Sequence, residues 1–154
     1  MSSPMATGQA NTVKQFFSRR TRVAIDIDAP AEKIWGLLVD SDSYPSWNST
    51  VLELSGRIAL GERIRLRSSL APTRTFKLKV KVFEGSSRLC WGDAMGTRVF
   101  DLKANARGGT CFTMSETIGG PLFPLFERMI PSFDESFGQF ARDLKAAAER
   151  GSPA

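Results

Sequence analysis

The sequence predicts an α+β domain in which a curved antiparallel sheet of about six to seven strands wraps one long C-terminal helix, with two short helices after the first strand. Three observations carry this prediction. Apolar and polar residues alternate with period two through a succession of segments between residues 20 and 118. The connectors between those segments, LAPT, EGSS, GDAMG and NARGG, are short and turn-rich, as in an antiparallel meander. Near the C-terminus Phe126, Ile130, Phe133, Phe137, Phe140 and Leu144 follow spacings of three and four, which is one face of an amphipathic helix.

The elements follow in order. Residues 1–18 read as a flexible arm, residues 19–150 as the domain, and residues 151–154 as a tail. In TRVAIDID the side chains of Val23, Ile25 and Ile27 share one face of a half-buried strand, opposed to Arg22, Ala24 and Asp26. Pro30 suits the first turn of a helix, and AEKIWGLLVD puts Ile34, Trp35, Leu37 and Leu38 on one stripe. SDSYPSWN is a turn and a second short helix, broken at Pro45. VLELS is a short strand. ERIRLRS then sets Ile64, Leu66 and Ser68 against Arg63, Arg65 and Arg67. RTFKLKVKV sets Phe76, Leu78, Val80 and Val82 against Lys77, Lys79 and Lys81. RLCWG, TRVFDLKA and TCFTMSETI complete the sheet. The long helix is expected from about Leu122 to Arg150, with Pro131 kinking it or splitting off a first turn or two and Gly151 stopping it.

Composition narrows the chemistry. The chain has 154 residues, room for one domain, and no histidine. Ser-His-Asp and Cys-His catalysis, histidine ligation of metals and an imidazole acid or base are therefore excluded. Cys90 and Cys111 are too few for a four-thiolate zinc site and read as free buried thiols on oppositely facing positions. No metal site and no cofactor is expected: acidic clusters and phosphate-cradling glycine loops are missing. No apolar run is long enough to span a bilayer and the first residues contain no apolar signal core, so the expected location is cytoplasmic. The net charge of +5 is concentrated in residues 1–22 and 51–88. Arg63, Arg65, Arg67, Lys77, Lys79 and Lys81 fall on one outer face, either a solvated surface or a contact for an anionic membrane or an acidic protein. Nucleic acid is not the expected partner, because the rows contain no aromatics on which bases could stack.

Two charged residues stand on apolar faces. Arg98 shares its side with Phe100 and Leu102, and Glu116 with Phe112, Met114 and Ile118. The two strands form a hairpin around residues 105–109, so pairing Leu102 with Phe112 or Met114 makes Arg98 and Glu116 neighbours. A buried charge is costly unless paired, which predicts a partly buried ion pair. It can serve as a structural bridge, as an anchor for a ligand carboxylate or phenolate, or, with Glu116 as acid/base, as a catalytic group.

Several stretches together resemble the START-like (helix-grip) superfamily, and within it the polyketide cyclase/dehydrase and lipid-transfer family. They are TRVAIDIDAPAEKIWGLLVDSDSYPSW, Trp91-Gly92, GTRVFDL, GGTCFTMSETIGG and FARDLKAAAER, covering about residues 20–150. The resemblance implies a pocket between sheet and long helix that binds or transports a small hydrophobic molecule such as a lipid, a polyketide or another aromatic. The residues it implies are Leu66, Phe76, Leu78, Val80, Trp91, Arg98, Phe100, Leu102, Met114 and Glu116 on the sheet and Met129, Ile130, Phe133 and Phe137 on the helix. Ile64, Ile118 and Phe126 belong to the same inward set. Trp47 would lie by the entrance, as a lid or as a plug. The alternatives are a cyclase/dehydratase enzyme using Glu116, and a partner-binding module using the basic face.

Overall fold

The structure, a computed structural model, describes residues 5–150. One eight-stranded antiparallel sheet runs in the order β1-β2-β8-β7-β6-β5-β4-β3. Its strands are β1 (Asn11–Lys14), β2 (Ser18–Ile27), β3 (Val51–Ser55), β4 (Arg63–Ser68), β5 (Phe76–Glu84), β6 (Arg88–Gly92), β7 (Gly96–Ala104) and β8 (Thr110–Gly119). Helices α1 (Ala31–Val39) and α2 (Tyr44–Trp47) follow β2, α3 (Phe123–Phe126) follows β8, and α4 (Asp134–Glu149) closes the fold. The tail 151–154 lies outside the described residues. Among the described residues no helix is long and apolar enough to cross a membrane.

The alternation read from the sequence sets the inner face. On β2, Thr21, Val23, Ile25 and Ile27 are buried, and β4 buries Ile64 and Leu66 while Arg63 and Arg65 stay exposed. Helix α4 lies in the concavity and buries Phe137, Phe140, Ala141, Leu144 and Ala148 against it. Asp134 and Glu135 in its first turn complement the positive end of the helix dipole. Gly92 ends β6 where only a glycine fits, because a Cβ there would collide with the Gly96 carbonyl.

Four expectations are corrected. The arm is part of the sheet from Asn11 on: β1 pairs antiparallel with β2, and Thr7 bridges to Ile25. Alternating polar residues gave that strand no apolar face to read. On β5 a register shift lies between Val80 and Val82, so Phe83 opposite the buried Leu89, and not Val82, takes the inner face. Phe83 meets the Trp35 ring there at 5.2 Å. Cys90 and Cys111 both fall on the outer face, because Leu89 and Trp91 claim the inner face of β6 and Phe112 that of β8. Both are free.

Pro131 splits off the first turns of the long helix, as expected, and the fourth correction concerns the apolar face assigned to those turns. Ile130 precedes Pro131, whose ring keeps the preceding residue out of the helical region, and Ile130 is extended with ψ 120. Residues 123–129 therefore form short turns of their own, and α4 begins only at Asp134. Phe126 and Ile130 leave the helix face, and Met129 is 81% exposed.

Candidate functional site

The inner face is filled at its centre. Phe140 from α4 sits among Tyr44, Trp47, Phe100 and Phe112 with ring centroids 5.9 to 6.3 Å away. Trp91 packs edge-on against Phe100 at 4.8 Å. These rings occupy the space between sheet and helix. Tyr44 is fully buried, and its hydroxyl donates to the Leu38 carbonyl at 2.7 Å. Burial pushes that phenol far up, and the nearby Arg98 charge offsets only part of this, so Tyr44 is no acid/base group near neutral pH.

Polar chemistry enters along one cross-strand row: Thr21, Glu116, Arg98, Trp91 and Val80 stand opposite one another on β2, β8, β7, β6 and β5. Leu102 pairs with Phe112, and Arg98 pairs directly with Glu116. Arg98 Nε donates to Glu116 Oε1 at 2.8 Å, and the two side chains are 16% and 18% exposed. The guanidinium carbon lies 5.0 Å over the Phe137 ring. Among the described residues the terminal nitrogens of Arg98 make no hydrogen bond. The planar fork is held by one side and one face, and its remaining donors are available.

Arg98 borders a small pocket of about 30 Å³ between the β3–β4 edge, the sheet interior and the start of α4. Its walls are Thr50, Val51, Leu66, Ser68, Ser69 and Leu70 on one side and Met114, Ser136, Phe137 and Phe140 on the other, with Arg98 between them. The volume is that of about one water molecule in the liquid. Of the residues expected at a ligand site, Leu66, Arg98, Met114 and Phe137 meet here. Glu116 stands behind Arg98. Trp47, Val80, Trp91, Phe100 and Leu102 are buried in the packed centre. Phe76 lies under the Arg74 guanidinium, 4.6 Å away, and Leu78 is half-buried beside the core. Phe133 stacks on Phe137 at 5.7 Å. Met129, expected on the pocket side, points to solvent for the reason given above. The Trp47 indole nitrogen is the buried side-chain polar atom without a partner among the described residues.

Arg19 was not anticipated as a site residue. It is 5% exposed, on the inner face of β2 two residues before Thr21. It donates to the carbonyls of Ile130 and Pro131 at 3.2 and 2.7 Å and lies 5.0 Å over the Phe133 ring. Arg19 thereby latches the segment before α4 onto the sheet. Carrying the period-two pattern back from Val23 through Thr21 would have placed it. Beside it a larger open groove of about 620 Å³ runs between β1 and residues 127–134. Lys14 is paired there with Glu127 at 3.5 Å and Asp134 accepts from the Thr12 hydroxyl at 2.5 Å, while Arg128 on its wall has no acidic partner among the described residues. The small pocket, which reaches the sheet interior beside Arg98, is the better candidate despite its size.

No family model matches the sequence, and no curated protein matches it. Solved structures do. A Mesorhizobium loti protein superposes with TM-score 0.68 at 20% identity, over 88% of this chain and all of that one (100%). A START superfamily protein from Mycobacterium smegmatis superposes with TM-score 0.63 at 15% identity, over 85% of this chain and 97% of that one. The chain has the START-like, helix-grip fold. The putative protein DynU16 of the dynemicin biosynthetic locus is also similar, with TM-score 0.64 at 19% identity, over 87% of this chain and 48% of that one. At these identities the likeness concerns fold, and function rests on the site.

Proposed function

We propose that the protein binds a small hydrophobic molecule carrying one anionic oxygen, a carboxylate or a phenolate, at the pocket bordered by Arg98. The observation that carries this reading is the arginine itself. Its Nε is committed to Glu116 and its face to Phe137, its terminal nitrogens make no hydrogen bond among the described residues, and the residue borders an otherwise apolar and hydroxyl-lined pocket. A guanidinium fixed in this way is organised for a planar anion and loses little freedom on binding it. Leu66, Met114, Phe137 and Phe140 supply the apolar walls. The free volume is too small for a whole lipid or polyketide, so binding requires the pocket to widen. Leu70, on the surface, and the first turn of α4 are the walls that can give way.

Binding is favoured over catalysis by one specific feature. Among the described residues Arg98 is the single ionisable one in the pocket wall, and Glu116 reaches it through Arg98. A cyclase or dehydratase reading needs the Glu116 carboxylate in contact with substrate. The decisive experiment is native mass spectrometry of the purified protein, then organic extraction of any passenger, followed by titration with a naphthoic acid probe. Binding should persist in Glu116→Gln and fall at least tenfold in Arg98→Met. Equal affinity in Arg98→Met would refute the reading, and turnover that Glu116→Gln abolishes with binding intact would favour the enzyme.

A further inference from the structure

The end of the sheet where β1 turns into β2 gathers exposed apolar side chains that neither the core nor the pocket uses. Backbone hydrogen bonds tie three loops together there. Gly120 N–H donates to the Phe17 carbonyl and Gly119 N–H to the Met95 carbonyl, each at 3.0 Å. Phe16 and Phe17 stand exposed on the first loop, Met95 on the second, and Leu125 and Met129, 80% and 81% exposed, beyond the third. The loop 69–75 lies at the same end, since it joins the close of β4 to the start of β5, on the side where β6 closes at Gly92 and β7 starts at Gly96. It exposes Leu70. Among the described residues, the loops at the opposite end (28–30, 56–62, 85–87, 105–109) expose one large apolar side chain, Leu60. Isolated surface leucines need no explanation, but this concentration on loop tips does.

The charges around the tips have one sign in excess. Arg20 opposite Thr117, and Arg63 directly opposite Lys79, lie in one outer row close to this end. Like charges facing each other across strands destabilise a sheet. Neither of them, nor Arg20 or Arg128, has an acidic partner among the described residues. The acids nearby are largely occupied: Asp93 accepts from the amides of Met95 and Gly96 at 2.9 Å, and Glu127 is held by Lys14. Glu62 remains.

We propose that this end of the molecule docks on an anionic phospholipid surface. The tips carrying Phe16, Phe17, Met95, Leu125 and Met129 enter the boundary between headgroups and acyl chains, and Arg20, Arg63, Lys79 and Arg128 meet the lipid phosphates. A bilayer fits better than a protein partner because the apolar groups stand on separate loops inside a cationic collar and form no groove or flat face. The proposal does not rest on the pocket reading.

The test is co-sedimentation with vesicles of phosphatidylcholine alone and of phosphatidylcholine with phosphatidylglycerol. Wild type should bind the anionic vesicles, bind the neutral ones at least tenfold more weakly, and be released by salt. The pair Leu125→Ser with Met129→Ser, and separately Arg63→Glu with Lys79→Glu, should each weaken binding about tenfold or more with unchanged circular dichroism. Leu52→Ser, exposed elsewhere, should bind as wild type, and so should Arg98→Met, which separates this surface from the pocket. Failure to bind either vesicle, or binding indifferent to both pairs, overturns the proposal. So does a dimer in analytical ultracentrifugation that the Leu125→Ser, Met129→Ser pair dissolves, which would assign the patch to a second copy.

Discussion

Replacing Glu116 by Leu removes the acid that holds Arg98 and leaves a guanidinium on an apolar face. Two unit charges about 4 Å apart attract by about 4 kcal/mol at an effective dielectric constant of about 20. Exposed pairs contribute about 0–1 kcal/mol, whereas breaking a buried one costs about 3–5 kcal/mol. With the partners 16% and 18% exposed, the Arg98–Glu116 pair sits nearer the buried limit, so Glu116→Leu should cost about 2–3 kcal/mol. In a domain of this length that lowers Tm by roughly 6 °C. Arg98→Met should cost a similar amount, because a carboxylate is then stranded. The double variant should recover much of the loss, since two apolar side chains on an apolar face need no partner. Urea unfolding followed by tryptophan fluorescence gives the cycle. A coupling energy of about 2 kcal/mol is expected. Strict additivity of the two single losses, within about 0.5 kcal/mol, would refute the argument.

Three further predictions follow from the same geometry. Phe140→Ala should destabilise the fold by about 3–5 kcal/mol and open the pocket toward the aromatic centre, raising the affinity for a naphthoic acid probe; a loss of stability with no gain in binding would separate the ring cluster from the pocket. Arg19→Met should free the carbonyls of Ile130 and Pro131, costing about 2 kcal/mol, with faster amide exchange concentrated in residues 127–133; exchange that rises evenly over the sheet would contradict a latch. Burial is the main cause that raises the thiols of Cys90 and Cys111 above their ordinary value, with Lys81 and Arg88 opposing it at Cys90. Their contribution to stability is complete below the unfolded thiol value and is lost as pH rises through the folded one, so the urea midpoint should fall from about pH 8 to about pH 10, more in wild type than in the Cys90→Ala, Cys111→Ala variant.

Much of the site was legible because alternation fixes which face a strand residue takes. Arg98 and Glu116 are the charged residues out of phase with the polar face of their strands, and the hairpin between them sets the register, so the ion pair follows from spacing alone. Arg19 obeys the same alternation, but the segment before Thr21 has no apolar run to advertise a strand. The register shift near Val82 was invisible because an inserted residue leaves the composition of a strand unchanged. Phe126, Met129 and Ile130 satisfy a helical period that Pro131 forbids them to use, and there the local constraint outweighed the pattern.

By itself, the sequence determined the order of the elements from β2 on, most of the inward faces, the pairing of two buried charges and the exclusion of histidine chemistry, all of which depend on local periodicity and residue type. The tertiary structure alone decided how much room lies between sheet and helix. That volume is the difference between the space the curved sheet encloses and the rings of Tyr44, Trp47, Trp91, Phe100, Phe112 and Phe140 that fill it, a small remainder of large quantities contributed by residues far apart in the chain. It likewise decided that loops distant in sequence meet at one end, because the antiparallel register brings alternate turns of a meander to the same edge.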